Sequence, residues 1–210
     1  KNSKVIEKNS QSQARKIRYE LLNKFCKKKN ISTILTAHNL EDQVETFFIR
    51  LSRGSGLHGL SSMKEVSKLE KKIILVRPLL DVKKIKLIKI SKIIFGKFYK
   101  DPSNNNSKYL RTRIRGLKTT LEKGGVSYDQ ITKSIKNLSA SRDTLDLHFN
   151  KIYKDLFIEK KRSIFLDLYK FNNLNQEMRM RTLSRSIKDV SKSYYPLRSK
   201  KIINLDAKLK

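Results

Sequence analysis

Ile31-Ser32-Thr33-Ile34-Leu35-Thr36-Ala37-His38-Asn39-Leu40-Glu41-Asp42-Gln43-Val44-Glu45-Thr46 is the stretch on which the fold turns. Its first seven residues form a short β-branched run, the pattern of a strand. From Leu40 to about Arg53 the period changes, and Leu40, Val44, Phe47, Phe48 and Leu51 fall on one helical face. A strand running into a helix puts His38 and Asn39 at the strand's carboxyl end, where open α/β sheets bind ligands. At 100° per residue, Asp42 and Glu45 lie about 60° apart, on a face turned away from the apolar stripe. Two carboxylates so placed can hold Mg2+ through water or grip an ammonium group. The same residues also suit the helix itself. Asn39 is a good N-cap, and Glu41 and Asp42 in the first turn complement the helix dipole. Spacing alone leaves both readings open.

Upstream, residues 12–29 read as a helix with Ala14, Ile17, Leu21, Leu22 and Phe25 on one stripe and Lys27-Lys28-Lys29 at its carboxyl end. Downstream, Lys72 to Val76 reads as a strand stopped by Pro78, and residues 82–95 as a helix. Phe98 to Lys100 is expected to be extended, Asp101 to Asn106 a polar turn, and Tyr109 to about Lys123 a helix stopped by Gly124-Gly125. Alternating strands and helices predict an α/β domain with a parallel sheet over 1–124. After the glycine pair, Ile131, Ile135, Leu138, Arg142, Leu145, Phe149, Ile152 and Leu156 recur at 4-3-4-3 spacing. That pattern predicts one long amphipathic helix with a polar interruption at Arg142. A strand-like Ile164-Phe165-Leu166 and a helix around Gln176–Val190 follow, so 125–210 is expected to be a smaller, mostly helical domain.

Composition narrows the function. The 210 residues hold 49 Lys+Arg against 19 Asp+Glu, a net charge of +30, which attracts polyanions. Lys, Ile and Asn are abundant together, so A/T-rich coding also contributes to that charge. No window of about 18 apolar residues exists, so no membrane-spanning helix is expected. Lys1 to Gln13 is polar, which argues against a secretory signal peptide. Cys26 is the single cysteine, expected as a small core hydrophobe; no CxxC pair is present.

Two further clusters carry chemistry. Arg50-Leu51-Ser52-Arg53-Gly54-Ser55-Gly56-Leu57-His58-Gly59 puts two arginines before a glycine-containing loop, whose main-chain N–H groups could approach phosphate, although a helix C-cap explains Gly54 equally well. Tyr109-Leu110-Arg111-Thr112-Arg113-Ile114-Arg115 places Arg111 and Arg115 on one helix face and Arg113 elsewhere. Clustered guanidinium groups suit phosphate or carboxylate, and equally a solvated basic face.

Taken together, LTAHNLEDQVETFFIRLSRGSGLHGL (35–60), Arg77-Pro78-Leu79-Leu80 and DPSN…YLRTRIR (101–115), in this order and spacing, resemble the tRNA(Ile)-lysidine synthases, a branch of the PP-loop ATP pyrophosphatases. Ala14-Arg15-Lys16-Ile17-Arg18-Tyr19 is similar to their AR-x-x-RY element, and Tyr195-Pro196-Leu197-Arg198 to their carboxyl-terminal Y-P-x-R segment. The resemblance implies a cytoplasmic two-step ligation. ATP adenylates C2–O of the wobble cytidine in the CAU anticodon of tRNA(Ile), releasing pyrophosphate. The amine of free lysine then attacks C2, and AMP leaves.

By motif position, the resemblance makes His38, Asp42 and Glu45 the catalytic set, with Asp42 also a Mg2+ ligand. It assigns Asn39, Asp101, Ser103, Asn104, Arg111, Arg113 and Arg115 to substrate, and Arg50, Arg53 and Arg198 to RNA. The helical domain is implied to bind tRNA, and a homodimer is allowed. Thr112 stands where the family usually has Asn. The family's SGGxDS phosphate loop does not occur in these 210 residues, and no glycine precedes Gly54. The chain is therefore expected to be the carboxyl part of such an enzyme, inactive alone. Two other readings stand beside it: a PP-loop tRNA thiolase and a non-catalytic basic RNA-binding protein.

Overall fold

The computed structural model describes residues 10–70, 73–99, 109–160, 163–191 and 199–209. The chain divides into two compact units, Lys1–Ser139 and Ala140–Lys210. The division falls inside a helix, not at Gly124-Gly125 where the sequence suggested it. The physical reason is packing: Tyr128, Ile131 and Ile135, beyond the glycine pair, are buried against Leu40 and Val44.

In the first unit, α1 (Ser10–Lys28) leads to β1 (Thr33–Leu35), and α2 (Leu40–Leu51) follows. A single turn, α3 (Leu57–Leu60), precedes β2 (Val66–Glu70), β3 (Ile73–Val76) and α4 (Lys84–Phe95). The sheet order is β1-β3-β2. β1 pairs parallel with β3, Ile34 opposite Leu75, and β2 pairs antiparallel with β3. Neither β2 nor the antiparallel pairing was expected. Val66-Ser67-Lys68-Leu69-Glu70 does not alternate apolar and polar residues, since two polar residues stand between Val66 and Leu69, so no period of two marks it as a strand.

Cys26, Leu69, Ile73 and Leu75 form one buried cluster, with Tyr19 and Ile34 packed against it. Cys26 is thus a core residue, as its composition class suggests. The face of α1 that packs is the one carrying Tyr19 and Cys26; of the stripe read from the sequence, Ala14, Ile17, Leu21 and Phe25 are exposed and Leu22 is half-buried. The expected single helix of 109–123 is two, α5 (Leu110–Gly116) and α6 (Lys118–Lys123), which meet at Leu117. Residues 97–99 carry no regular structure, and Lys100 to Asn106 lie outside the described residues.

α7 (Tyr128–Asp155) is the long helix that the 4-3-4-3 repeat predicts. Arg142, its polar interruption, is buried and donates from Nε to Asp143 Oδ1 at 3.1 Å. In the second unit, β4 (Phe157–Lys160) and β5 (Ser163–Leu166) form an antiparallel hairpin, of which only β5 was legible. α8 (Leu168–Asn172), α9 (Gln176–Ser191) and α10 (Ser199–Lys208) complete it. Leu156, Phe171, Leu183 and Ile202 are its core. Arg179 and Asp206 join α9 to α10 through two hydrogen bonds, 2.8 and 3.3 Å.

Candidate functional site

The site begins where β1 ends. Asn39 caps α2: its side chain accepts from the Asp42 N–H, and Asp42 Oδ2 accepts from the Asn39 N–H, both at 3.1 Å. This reciprocal pair closes the helix N-terminus. The N–H of Leu40 is also used, donating to Val82 O. Asp42 is therefore first a capping residue, and one of its carboxylate oxygens is committed.

Glu45, one turn later, is built differently. It has no solvent-exposed surface. Arg115 Nε donates to its Oε1 at 2.7 Å, and Arg111 Nε lies 3.5 Å from its Oε2. Burial pushes the Glu45 carboxyl above its usual range, against the opposing pull of Arg115. Oε2 is buried without a hydrogen-bond partner. The structure thus brings Glu45, Arg111 and Arg115 together; Arg113, on the same helix, is exposed. The Asp42–Glu45 pairing drawn from spacing becomes two separate arrangements, a cap and an ion pair.

His38 is half-buried. Its Nδ1 lies 2.9 Å from Thr36 Oγ1. Burial lowers its pKa, Asp42 raises it, and Arg77, Arg15 and Arg111 lower it further. The ring is therefore held toward its neutral form, with Thr36 at one nitrogen and Nε2 left for another partner. Thr36 was not singled out in the sequence; its i, i+2 spacing from His38 on a strand end was the available signal.

Tyr128 was also missed. It is buried at the start of α7, its hydroxyl has no hydrogen-bond partner, and burial raises its pKa, with Glu45 adding to the effect. Nothing in the local sequence of α7 marks it, because its neighbours come from α2.

The glycine loop is a packed turn. Gly54 N–H donates to Leu51 O, Ser55 N–H to Arg50 O, and Gly59 and Leu60 N–H to Gly56 O. Those four N–H groups are spent inside the loop. Gly54 has φ +65, a left-handed conformation that favours glycine. Arg50 Nη1 donates to Gly59 O at 2.7 Å and to Ser62 O at 3.0 Å. Arg50 is thus turned inward to hold the loop, while Arg53 is exposed. Arg77, buried, does similar work at β2, donating to Lys64 O and Ser67 Oγ. Asp101, Ser103, Asn104 and Arg198 lie outside the described residues.

The His38 imidazole, held toward its neutral form, and the Arg111 guanidinium lie within electrostatic reach of each other at the carboxyl end of β1. At the start of α2 the N–H groups of Leu40 and Asp42 are spent within the chain, as are those of Gly54, Ser55, Gly59 and Leu60 in the glycine loop. The described residues hold no group of three or more His, Cys, Asp or Glu side chains suited to a metal. A dedicated Mg2+ cage therefore does not fit them.

A tRNA(Ile)-lysidine synthase of Wolbachia sp. subsp. Brugia malayi is 34% identical over 200 residues, 94% of this chain and 46% of its own length. The tRNA(Ile)-lysidine synthase of Wolbachia pipientis wMel matches to the same extent. That of Orientia tsutsugamushi is 45% identical over 114 residues, 54% of this chain and 25% of its own. The chain spans about half the length of the Wolbachia relatives. Among solved structures, a U34-tRNA thiolase of Methanococcus maripaludis with its [4Fe-4S] cluster superposes with TM-score 0.51. Its sequence identity is 20%, over 65% of this chain and 46% of that one, a likeness of fold. A PP-loop domain model matches residues 1–119, more than half of the chain, over the same strand–helix junction that holds the His38, Glu45 and Arg115 arrangement; the chain belongs to the PP-loop family.

Proposed function

We propose that the chain is the part of a tRNA(Ile)-lysidine synthase that forms the substrate wall of its active site, in an enzyme that ligates lysine to the wobble cytidine of a CAU anticodon. ATP is a substrate of that reaction and supplies the adenylate that makes the C2 oxygen a good leaving group. The observation that carries the reading is the sealed Glu45 carboxylate. It fixes Arg115 by a 2.7 Å bond and draws Arg111 to 3.5 Å, while leaving Oε2 without a hydrogen bond.

Such an arrangement suits a ligand that carries an anionic group, as the carboxylate of free lysine or the phosphate of an adenylate does. The half-exposed Arg111 guanidinium faces that group, and the buried Glu45 holds the arginine in place from behind. Preorganised cations beside a developing adenylate need no reorganisation during the reaction. His38, held toward neutrality, is suited to accept a proton through Nε2 when Thr36 accepts the Nδ1 hydrogen.

Asp42 keeps its second oxygen and is proposed as a single ligand to Mg2+ carried in with ATP; no step is assigned to the metal. Asp101, Ser103 and Asn104 are proposed to complete the substrate side, and Arg53, Arg113 and Arg198, with residues 125–210, to contact tRNA. The net charge of +30 supports an RNA partner. The reaction is proposed for the cytoplasm, with a homodimer allowed. The thiolase alternative has less support, because the single cysteine is buried in the sheet core.

The test is a hybrid in which this chain replaces the matching residues of the Wolbachia pipientis relative. It should transfer labelled lysine to a CAU-anticodon tRNA(Ile) transcript and lose the transfer with Glu45→Gln. A folded hybrid that modifies no tRNA would refute the assignment.

A further inference from the structure

α4 belongs to the first unit and buries none of its side chains fully. Its carboxyl end is stopped by Gly96, left-handed at φ +68, whose N–H donates to Lys92 O at 3.0 Å. Ser91 Oγ donates to Lys97 O at 3.0 Å and ties the next turn back onto the helix. The turn is thus held in place, yet its rings are left uncovered. Phe95, Phe98 and Tyr99 are 69%, 37% and 77% exposed. Neighbouring exposed rings mark an interaction surface. The charge around them has one sign: residues 82–100 hold seven lysines and no aspartate or glutamate. Lys97 Nζ lies 5.3 Å from the centroid of the Tyr99 ring, and Lys92 is exposed one turn before Gly96. Aromatic faces for bases and cations for the backbone are the means by which proteins hold unpaired nucleotides.

We infer that Phe95, Phe98 and Tyr99, flanked by Lys92 and Lys97, form a stacking platform for the unpaired bases of an RNA loop. The occupant follows from charge and from the chemistry of bases. A patch of uniform positive charge calls for a polyanion. Exposed rings select unpaired RNA over duplex, whose bases are already stacked on one another. The inference rests on the proposed function for the identity of the loop, the anticodon loop, though not for the existence of the platform. An enzyme that works on C2 of a wobble cytidine must take that base out of its stack. The neighbouring bases then lose a stacking partner, and an aromatic side chain replaces it. Tyr99 stands two residues before Asp101, the first of the residues proposed for the substrate side, so the platform lies on the chain's approach to that side.

The experiment measures binding of the chain to a labelled hairpin, the anticodon stem and loop of a CAU-anticodon tRNA(Ile), and to a fully paired duplex of equal length. Tyr99→Leu and Phe95→Leu keep apolar bulk and remove the aromatic face. Each should weaken hairpin binding at least about fivefold, the loss of one stacked base, and leave duplex binding unchanged. Tyr99→Phe keeps the ring and should bind as the unaltered chain does. Lys92→Ala with Lys97→Ala should lower the salt dependence of hairpin binding, which the leucine variants should not. The substituted side chains are all exposed, and circular dichroism checks that each variant keeps its fold. Hairpin binding that is unchanged in both leucine variants overturns the inference. So does an equal loss on hairpin and duplex. Binding to vesicles of phosphatidylglycerol and phosphatidylcholine that the hairpin does not displace assigns the surface to lipid and also overturns it. Ring-dependent hairpin binding beside a hybrid enzyme that transfers no lysine leaves the platform standing and refutes the proposed function. Lysine transfer by the hybrid with a KM for tRNA unchanged by Tyr99→Leu does the reverse.

Discussion

Arg115 Nε donates to Glu45 Oε1 at 2.7 Å across a separation of 70 residues, tying α5 to α2 through a carboxylate that has no contact with solvent. The bond has a structural consequence before any catalytic one. A buried carboxylate is tolerated when its charge is partnered, and losing the partner costs more than the bond itself is worth. Arg115→Met should therefore destabilise the first unit by roughly 1–3 kcal/mol. The upper values are discounted because Arg115 is about a third exposed and water can take over part of its role in the pair. Arg113→Met, on the same helix and exposed, should change stability by less than about 0.5 kcal/mol. Urea unfolding of the two variants checks the contrast, and equal losses would remove the special place given to Arg115.

The same pair makes a titration prediction. Burial raises the Glu45 carboxyl pKa, and Arg115 is the largest opposing influence. A raised folded-state pKa means that this group favours the folded state most at acid pH, below the value of a free carboxyl. That contribution is lost as pH rises through the folded-state value. Arg115→Met should move the Glu45 midpoint higher still, read from its side-chain carboxyl carbon by NMR. A midpoint that falls in the variant would mean that Arg115 does not hold the charged form.

His38 carries the opposite sign. Burial lowers its pKa, so its contribution to stability is fully present above the ordinary imidazole value of 6.5 and is lost as pH falls through the folded-state value. Asp42 is the group that raises it. Asp42→Asn should lower the His38 midpoint further, and Thr36→Val should alter the nitrogen shifts that report which ring nitrogen carries the proton. Both are visible by NMR in the isolated chain without any activity. An unmoved His38 midpoint in Asp42→Asn would separate the cap from the imidazole.

How much of this was legible follows from the range of the interactions. The Asn39–Asp42 cap is a three-residue relationship, and the sequence offered it directly. The strand–helix junction and the 28-residue α7 were legible because their periods repeat over many residues. What the sequence showed as one carboxylate pair is two arrangements, because the partners of Glu45 lie on α5; the i, i+4 spacing set Arg111 and Arg115 on one face apart from Arg113, but no local pattern encodes that this face meets Glu45. The α1 stripe shows the converse. Its period marks an apolar face correctly, but period cannot say whether that face meets this chain's own sheet or something else.

For RNA, the net charge predicts that tRNA binding by the chain weakens steeply as salt rises, because each phosphate contact releases counterions. Arg53→Ala and Arg113→Ala should each lower the slope of log affinity against log salt by about 0.9 if the residue meets one phosphate. Filter binding over a salt series measures it, and slopes equal to that of the unaltered chain would exclude both residues from the interface.

Arg50 should behave otherwise, and the loop it holds supplies the last prediction. Its guanidinium bonds the carbonyls of Gly59 and Ser62, so Arg50→Ala should cost about 1.5–3 kcal/mol, as for hydrogen bonds to a charged group, while the salt slope of tRNA binding stays unchanged. Gly59 sits under the same arginine. A Cβ there would lie 2.4 Å from Ser55 Cβ, a contact that rotation of the serine hydroxyl does not relieve. Gly59→Ala should therefore destabilise the loop by roughly 1–3 kcal/mol, the range for overpacking. Ser55→Gly removes the obstructing atom, so Gly59→Ala with Ser55→Gly should regain most of the loss. The two changes are in contact and are expected to be strongly non-additive. Thermal or urea unfolding of the two single variants and the double variant closes the cycle. Additive losses would show that Gly59 is required for its backbone rather than for the close approach of Ser55.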